Sequence, residues 1–356
     1  MSRKSLDAFP DHAVSATAAA EAPWPVRRRH REKYAMNKEL LAFIIVAVLL
    51  AVVPFTFGTS TTFIAMSLAK GLAVLGILIL LRAGQVSFGH AMYFAIGAYA
   101  AAFLSSAFRG IDMLLLIGAA ILASGVAGAI VGIFVTRYRG IFFGMVNLAF
   151  SMVFYSILEK AFHITGGSDG MRIRRPTLLG MELKRAEFDI AIYYVILLFA
   201  LLSVWLVWRY LRSPMGEALR AVKSNETRLE YVGLSAKSVL LGGYIASAVL
   251  CGIGGVFMGM VQGLATPEHA FWTRSSELVF IAALGGPAHV AGAFGGTVVF
   301  EAVRTYAAAL LDDSWQLILG VTLIVIILWA PGGMVELFRR LTGLDRAKTL
   351  TPEAGR

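Results

Sequence analysis

Two sets of residues in this 356-residue chain have the types and spacing to do chemistry. Ser87 and His90 lie three apart, which on a regular helix puts a hydroxyl and an imidazole on one face, in reach of a nucleophile-and-base arrangement. Lys70, Glu159, Glu277, Glu301 and Arg304 fall within or at the ends of long apolar runs. An intramembrane charge costs at least about 2.5 kcal/mol there, so it is paired or functional. Glu301 and Arg304, again three apart, are spaced to pair along one helix. The first set reads as an intramembrane hydrolase, the second as an ion-coupled secondary transporter. Against the hydrolase stand the absence of a Gly-x-Ser-x-Gly turn or nearby orienting carboxylate, and glycines that already explain the polarity as a broken helix. Against the carrier stands the scarcity of carboxylates deep in the runs. The histidines show no His-Glu-x-x-His spacing and Cys251 is the only cysteine, so neither a metal site nor a disulfide framework has support. No stretch matches Gly-x-x-x-x-Gly-Lys-Ser/Thr, so no phosphate-cradling loop is present, and ATP-driven work falls to a partner.

The elements that carry these residues are membrane spans. Hydrophobic residues make up 58% of the chain and charged residues 15%, with a mean hydropathy of +0.74. Apolar runs of about 20 residues, each long enough for a hydrocarbon core roughly 30 Å thick, recur from Leu40 to Ala330. The expectation is an all-α polytopic transmembrane helical bundle of about ten spans with broken or re-entrant segments. These lie near 38–57, 60–82, 86–107, 113–135, 141–163, 188–210, 238–262, 276–288, 290–311 and 315–331. Neither a short apolar stretch nor a cleavage site is visible at the start, so residues 1–37 are expected to form a basic cytoplasmic tail without fixed structure. Residues 38–338 make the membrane domain and 339–356 a second cytoplasmic tail. The formal charge of +10 reads as positive-inside bias, with membrane lipid rather than nucleic acid as partner, because no basic stripe is interleaved with aromatics. That topology places the basic loop at 164–187 outside.

Two spans carry interruptions. Gln85, Ser87 and His90 crowd the start of Gly84-Gln-Val-Ser-Phe-Gly-His-Ala-Met-Tyr-Phe-Ala-Ile-Gly-Ala-Tyr99, and Gly84, Gly89 and Gly97 weaken it as a helix. Irregular backbone at membrane depth survives only against protein or a water-filled cavity, which puts this segment in the interior beside a translocation path. Leu284-Gly-Gly-Pro-Ala-His-Val-Ala-Gly-Ala-Phe-Gly-Gly296 is similarly broken, and such pairs point to internally repeated transporters. Four-residue glycine spacings at Gly128/Gly132, Gly255/Gly259/Gly263 and Gly292/Gly296 suit close packing inside the bundle. Thr165-Gly-Gly-Ser-Asp-Gly170 reads as a tight hydrated turn, or, through Gly166, Gly167 and Gly170, as a rim toward solute or a delivery protein. Between two spans lies a charged island, residues 211–238. There Ser213 is suited to N-cap, Pro214 to the first helical position and Gly233 to the end. Met215, Ala218, Leu219 and Val222 share one face, which offers a narrow apolar ridge to a partner.

The run from Gly84 to Tyr99 resembles the signature of branched-chain amino acid ABC-importer permeases, the LivM/LivH family. Arg139-Gly-Ile-Phe-Phe-Gly-Met-Val-Asn-Leu-Ala-Phe150, Thr165-Gly-Gly-Ser-Asp-Gly170 and Arg212-Ser-Pro-Met-Gly-Glu-Ala-Leu-Arg-Ala-Val-Lys-Ser-Asn-Glu226 are similar to the LivM branch, in order. The resemblance implies a bacterial inner-membrane permease subunit working with a LivH-like permease, two cytoplasmic ATPases that use ATP and magnesium, and an extracytoplasmic solute-binding protein. It implies no cofactor in this chain itself. On the same basis Ser213, Pro214, Gly216, Glu217, Ala218 and Arg220 form the ATPase coupling helix, and Gln85, Ser87, Gly89, His90, Gly166, Gly167 and Gly170 border the path. Gly285-Gly-Pro-Ala-His-Val-Ala-Gly292 departs from the family's usual glycine-proline pattern, and Thr266-Pro-Glu-His only approximates its Ser-Pro-Glu start. These departures bear on the solute, which among relatives includes urea, short amides and aromatic acids.

Overall fold

The computed structural model describes residues 60–286 and 290–310, with a few residues near 50 and between 317 and 333. The chain divides into two units, residues 1–52 and 53–356. The second unit holds the helices α1 (Ser60–Arg82), α2 (Ala91–Ala107), α3 (Met113–Val135), α4 (Gly140–Lys160), α5 (Phe162–Thr165), α6 (Arg185–Leu211), α7 (Pro214–Ser224), α8 (Glu226–Tyr231), α9 (Ala236–Gln262), α10 (Trp272–Gly285) and α11 (Val290–Leu310). Two short strands, β1 (Met171–Arg172) and β2 (Leu264–Ala265), pair antiparallel, Met171 opposite Ala265.

Five described helices, α1, α3, α4, α6 and α9, are long and apolar enough to cross a membrane. α10 and α11 make a sixth candidate as a broken pair, bent by 116°. The apolar runs expected at 276–288 and 290–311 are therefore two arms of one bent unit, and the runs at 38–57 and 315–331 fall largely outside the described residues. The expected span at 86–107 is shorter than drawn: residues 85–87 have no regular secondary structure, and helix begins only at Ala91.

α1 and α9 are buried along most of their length, whereas α3, α4 and α6 turn Leu122, Ile130, Ile141, Phe142, Leu198 and Trp205 outward. In lipid an outward leucine needs no other partner, so these three helices form the apolar exterior and α9 the centre. α9 reaches its neighbours closely because it lacks side chains where they cross: a Cβ on Gly255 would run into the Phe94 carbonyl of α2, and one on Gly254 would meet the Ala69 carbonyl of α1. Gly128, Gly132, Gly259, Gly292 and Gly296 likewise face helices of this chain, so their spacing serves packing within the bundle. Gly263 instead ends α9 in the left-handed conformation.

The helix ends sort into two groups. At one, Gly84 follows α1 and lies against the Lys223 side chain of α7, and Arg139 ahead of α4 reaches Glu226, the first residue of α8. At the other, Thr177 accepts from Met113 N at 2.8 Å, Ser105 Oγ accepts from Arg174 N at 3.3 Å, and β1 pairs with β2 beyond α9. The basic loop 164–187 and the charged island thus sit at opposite ends of α6.

Candidate functional site

Four of the five charges placed in apolar runs converge, while Glu159 lies apart near the end of α4, beside Tyr155. Lys70, midway along α1 and 7% exposed, donates to Glu277 Oε1 of α10 at 2.5 Å and to Glu301 Oε1 of α11. Glu277 also receives Arg274 at 3.1 Å and Arg304 at 3.6 Å. The within-helix pair expected for Glu301 and Arg304 gives way to partners on other helices, because Lys70 lies between the two arms of the bent pair. Phe300 adds its ring 5.9 Å from the ammonium. A charge cluster of this kind holds α10 and α11 to α1, as does Phe294, which fills the space over Gly71.

Beside the cluster is a cavity of about 100 Å³ lined by charged groups on one part and by Met66, Phe94, Met258 and Leu278 on another. His269, from the one-turn helix between β2 and α10, lines it as well, and its Nε2 is buried without a hydrogen-bond partner. Arg274 and His269 escaped sequence reading, although Arg274 lies three residues before Glu277 and that spacing was a usable signal.

Ser87 and His90 do meet: Ser87 Oγ and His90 Nδ1 are 2.6 Å apart, and neither is exposed at all. The contact arises in the turn before α2 rather than on a helix face. The imidazole lies edge-on between Tyr93 and Tyr244. Tyr93 donates to Tyr244 at 2.9 Å, and Tyr244 donates to Asn147 Oδ1 at 2.5 Å. Gln85 is buried, and its Oε1 accepts from Gly140 N at 2.9 Å, which ties the broken segment to the start of α4. Gly89 packs on the Asn147 backbone. These residues form a buried polar seam between α2, α4 and α9. They adjoin the cavity through Ala91, whose N–H donates to Ser275 Oγ at 2.9 Å, and through Phe94, which packs on His269.

Gly166, Gly167 and Gly170 are elsewhere, in the turn after α5. Gly166 at φ 77° and Gly170 at φ 73° hold backbone that L side chains rarely adopt, and a Cβ on Gly170 would meet the Ala265 carbonyl of β2. This is a tightly packed turn at the loop end, separate from both seam and cavity.

At the opposite end the island folds by its own local rules. Ser213 caps α7 by accepting from Gly216 N at 3.4 Å, Pro214 takes the first position, and Asn225 caps α8 by accepting from Arg228 N at 3.1 Å. Ala218, Leu219 and Val222 are buried, Leu219 against Gly243 of α9, so the apolar ridge seats α7 on its own bundle and is not held out to a partner. Gly216 is buried against the Tyr210 carbonyl and Leu211 at the joint with α6. The outward residues are Met215, Glu217, Arg220 and Lys223, followed by Tyr231 at 86% and Val232 at 78% exposure. Arg139 fastens the unit from the side, donating to Glu226 at 2.5 Å and to the Thr136 carbonyl at 2.5 Å.

A family model described as branched-chain amino acid transport system / permease component matches residues 59–328. The high-affinity branched-chain amino acid transport system permease protein LivM of Escherichia coli (strain K12) is 28% identical over 330 residues, covering 85% of this chain and 76% of the relative. LivM of Salmonella typhimurium (strain LT2) is 28% identical over 277 residues, 72% of this chain, and the match spans only 65% of that protein's length. The permease protein LivH of Escherichia coli (strain K12) is 22% identical over 265 residues, covering 69% and 83%. No solved structure matches significantly.

Proposed function

This chain belongs to the family of branched-chain amino acid transport system permease components, and from that membership we propose that it is one permease subunit of an ABC importer for branched-chain amino acids or a related small solute. It sits in a bacterial inner membrane as a multi-pass subunit, with a permease domain at 38–338 of about ten spans between two cytoplasmic tails. A LivH-like subunit completes the permease, two cytoplasmic ATPases bind ATP and magnesium, and an extracytoplasmic binding protein delivers the solute. The buried seam at Gln85, Ser87, Gly89 and His90 borders the path, and the turn at Gly166, Gly167 and Gly170 forms its outer rim.

The observation that carries this reading is the seating of α7. A helix that transmits motion must be fixed to the spans it moves while presenting a distinct face to the motor. α7 meets both requirements: Ala218, Leu219 and Val222 are buried in the bundle, and Glu217, Arg220 and Lys223 are exposed. Ser213 and Pro214 set its angle, and Gly216 permits the tight joint with α6. ATP-driven closure of the ATPases then acts on the helix as a lever, and the spans change access because contacts differ between the two states.

The test exploits exposure. Glu217→Arg and Arg220→Glu leave the buried ridge untouched and are expected to abolish solute-stimulated ATPase activity and uptake in reconstituted vesicles, with assembly of the permease pair retained. Full uptake by both variants sinks the coupling role. Vesicles without the ATPases but with an imposed proton or sodium gradient are expected to accumulate nothing, whereas an ion-coupled carrier would fill them.

A further inference from the structure

We propose that Arg175, Leu179, Met181, Lys184 and Arg185 form an interfacial anchor that binds the headgroup of an anionic phospholipid, a reading that needs only that the bundle lies in a bilayer. Residues 164–187 hold five basic residues against three acidic ones. Arg172, Arg174, Arg175, Lys184 and Arg185 are all exposed, and none enters an ion pair among the described residues. Basic loops belong on the cytoplasmic side of a membrane, whereas this one lies at the end of α6 away from the charged island. Local helix chemistry gives no reason for the cations either. Lys184 and Arg185 open α6, where the helix dipole disfavours positive charge, and Glu187 already accepts from Lys184 N at 3.2 Å. Unpaired cations of this kind fit an anion from outside the chain, and beside a bilayer that anion is a lipid phosphate.

The position of the loop selects lipid over an acidic protein face. Leu178 and Met181 pair across a two-residue turn in which Leu179 at φ 50° and Gly180 at φ 80° both take left-handed backbone. Such turns favour Asn-Gly, so leucine is an unfavourable first residue, yet it stands 73% exposed with Met181 at 57%. Asp112 fixes the depth of this apolar tip. Its Oδ1 accepts from Leu114 N at 2.8 Å and its Oδ2 from Gly180 N at 3.3 Å, which holds the tip at the first turn of α3. α3 is an outward-facing span of 23 residues, about 34 Å long at 1.5 Å per residue, against a hydrocarbon core of roughly 30 Å. Its first turn therefore lies where core meets headgroups. Leu114 and Leu115, 47% and 63% exposed, continue the apolar surface from the span to the tip. Thr177 N donates to the Ile111 carbonyl at 2.9 Å, which brings Arg175 to the same level, and Lys184 and Arg185 follow Met181 closely in the chain. Apolar side chains at the acyl boundary and cations at the phosphates are the two signals that interfacial binding combines.

The experiment uses the complete transporter, with cysteine-free partner subunits and Ala186→Cys labelled with bimane. Ala186 is exposed and Cys251 is buried, so the label marks the start of α6. In neutral micelles, phosphatidylglycerol carrying a spin label near its headgroup should quench the bimane at a mole fraction at least fivefold below that needed for phosphatidylcholine with the same label, since one cation near an anionic surface contributes a factor of about five. Lys184→Gln with Arg185→Gln should remove most of that preference, and Leu179→Gln with Met181→Gln should weaken quenching by both lipids alike. Arg172→Gln, on the strand that pairs beyond α9, should leave both within about twofold. Millimolar inorganic phosphate should displace neither lipid. Equal quenching by the two lipids overturns the anchor without recourse to any variant. A preference that falls as far with Arg172→Gln as with the Lys184 and Arg185 pair means a diffuse field and overturns it too, as does displacement by inorganic phosphate. Protection of the bimane from aqueous iodide by the delivery protein, with no quenching by lipid, gives the surface to an acidic protein face instead and overturns the lipid assignment.

Discussion

Replacing Lys70 with methionine isolates what the buried cluster contributes. The substitution keeps an unbranched stem on α1 and removes the one ammonium shared by Glu277 and Glu301, whose side chains are 13% and 14% exposed. Breaking a buried pair by removing one partner costs about 3–5 kcal/mol, because the remaining charge is left without compensation. Glu277 keeps Arg274 at 3.1 Å and Arg304 at 3.6 Å, so the penalty falls on Glu301. Glu301→Gln in the Lys70→Met background is accordingly expected to recover all but about 1 kcal/mol, and Glu277→Gln in that background to recover nothing. The assay is unfolding in mixed micelles, followed by loss of helical circular dichroism as sodium dodecyl sulfate is raised. A loss below about 1 kcal/mol for Lys70→Met, the scale of an exposed ion pair, would refute the reasoning. It would mean that Arg304 takes over Glu301 across one helical turn, the pairing that their spacing alone suggests.

Three further outcomes are accessible to the same assay. Gly255→Val places a side chain on the Phe94 carbonyl and should lose about 1–3 kcal/mol or more, whereas Gly242→Ala, with nothing within 4 Å of the added methyl, should change stability by less than about 0.5 kcal/mol. Arg139→Gln breaks a half-exposed pair with Glu226 and should lose less than about 1 kcal/mol of pairing, a loss that shrinks as salt is raised. Ser87→Ala leaves His90 Nδ1 unpaired in the core and should lose about 1–3 kcal/mol, while a serine-reactive fluorophosphonate should leave the wild type unlabelled, since the hydroxyl has no exposed surface.

Features encoded within a few residues were legible. Ser213, Pro214 and the 3.6-residue periodicity specify α7 because a cap, a fixed φ and one apolar face act locally. The two interruptions were legible for the same reason: residues 84–90 do leave helical geometry, and α10 and α11 do bend apart. Contacts across the bundle were not. Lys70 finds its carboxylates 207 and 231 residues away, and nothing in its neighbourhood names them. The ridge Ala218-Leu219-Val222 was visible as a face, but whether a partner or the chain's own α9 covers it is a tertiary matter. Number of spans suffered similarly, since an apolar run such as 276–288 has the composition of a full crossing although its helix, Trp272–Gly285, turns by 116° into the next.

The charged island and the cavity share their supports. α1 carries Lys70 in the cavity and, about 18 Å farther along at 1.5 Å per residue, leads into Gly84 beneath Lys223 of α7. α9 carries Gly243 under Leu219 and, about 22 Å along, Met258 in the cavity wall. Both helices are buried and packed backbone to backbone at Gly254 and Ala69, so neither end moves without straining that crossing or shifting the pair together. Linkage then makes a demand on the importer mechanism. If engagement of the ATPases at Glu217 and Arg220 alters the affinity of the permease for its solute by some factor, bound solute must alter ATPase engagement by the same factor. Leucine should therefore change the affinity of the ATPases for the permease pair to the extent that it is bound differently in the two states. The Gly255→Val variant, which disturbs the α2–α9 crossing that walls the cavity, should diminish that factor even where both partners still bind.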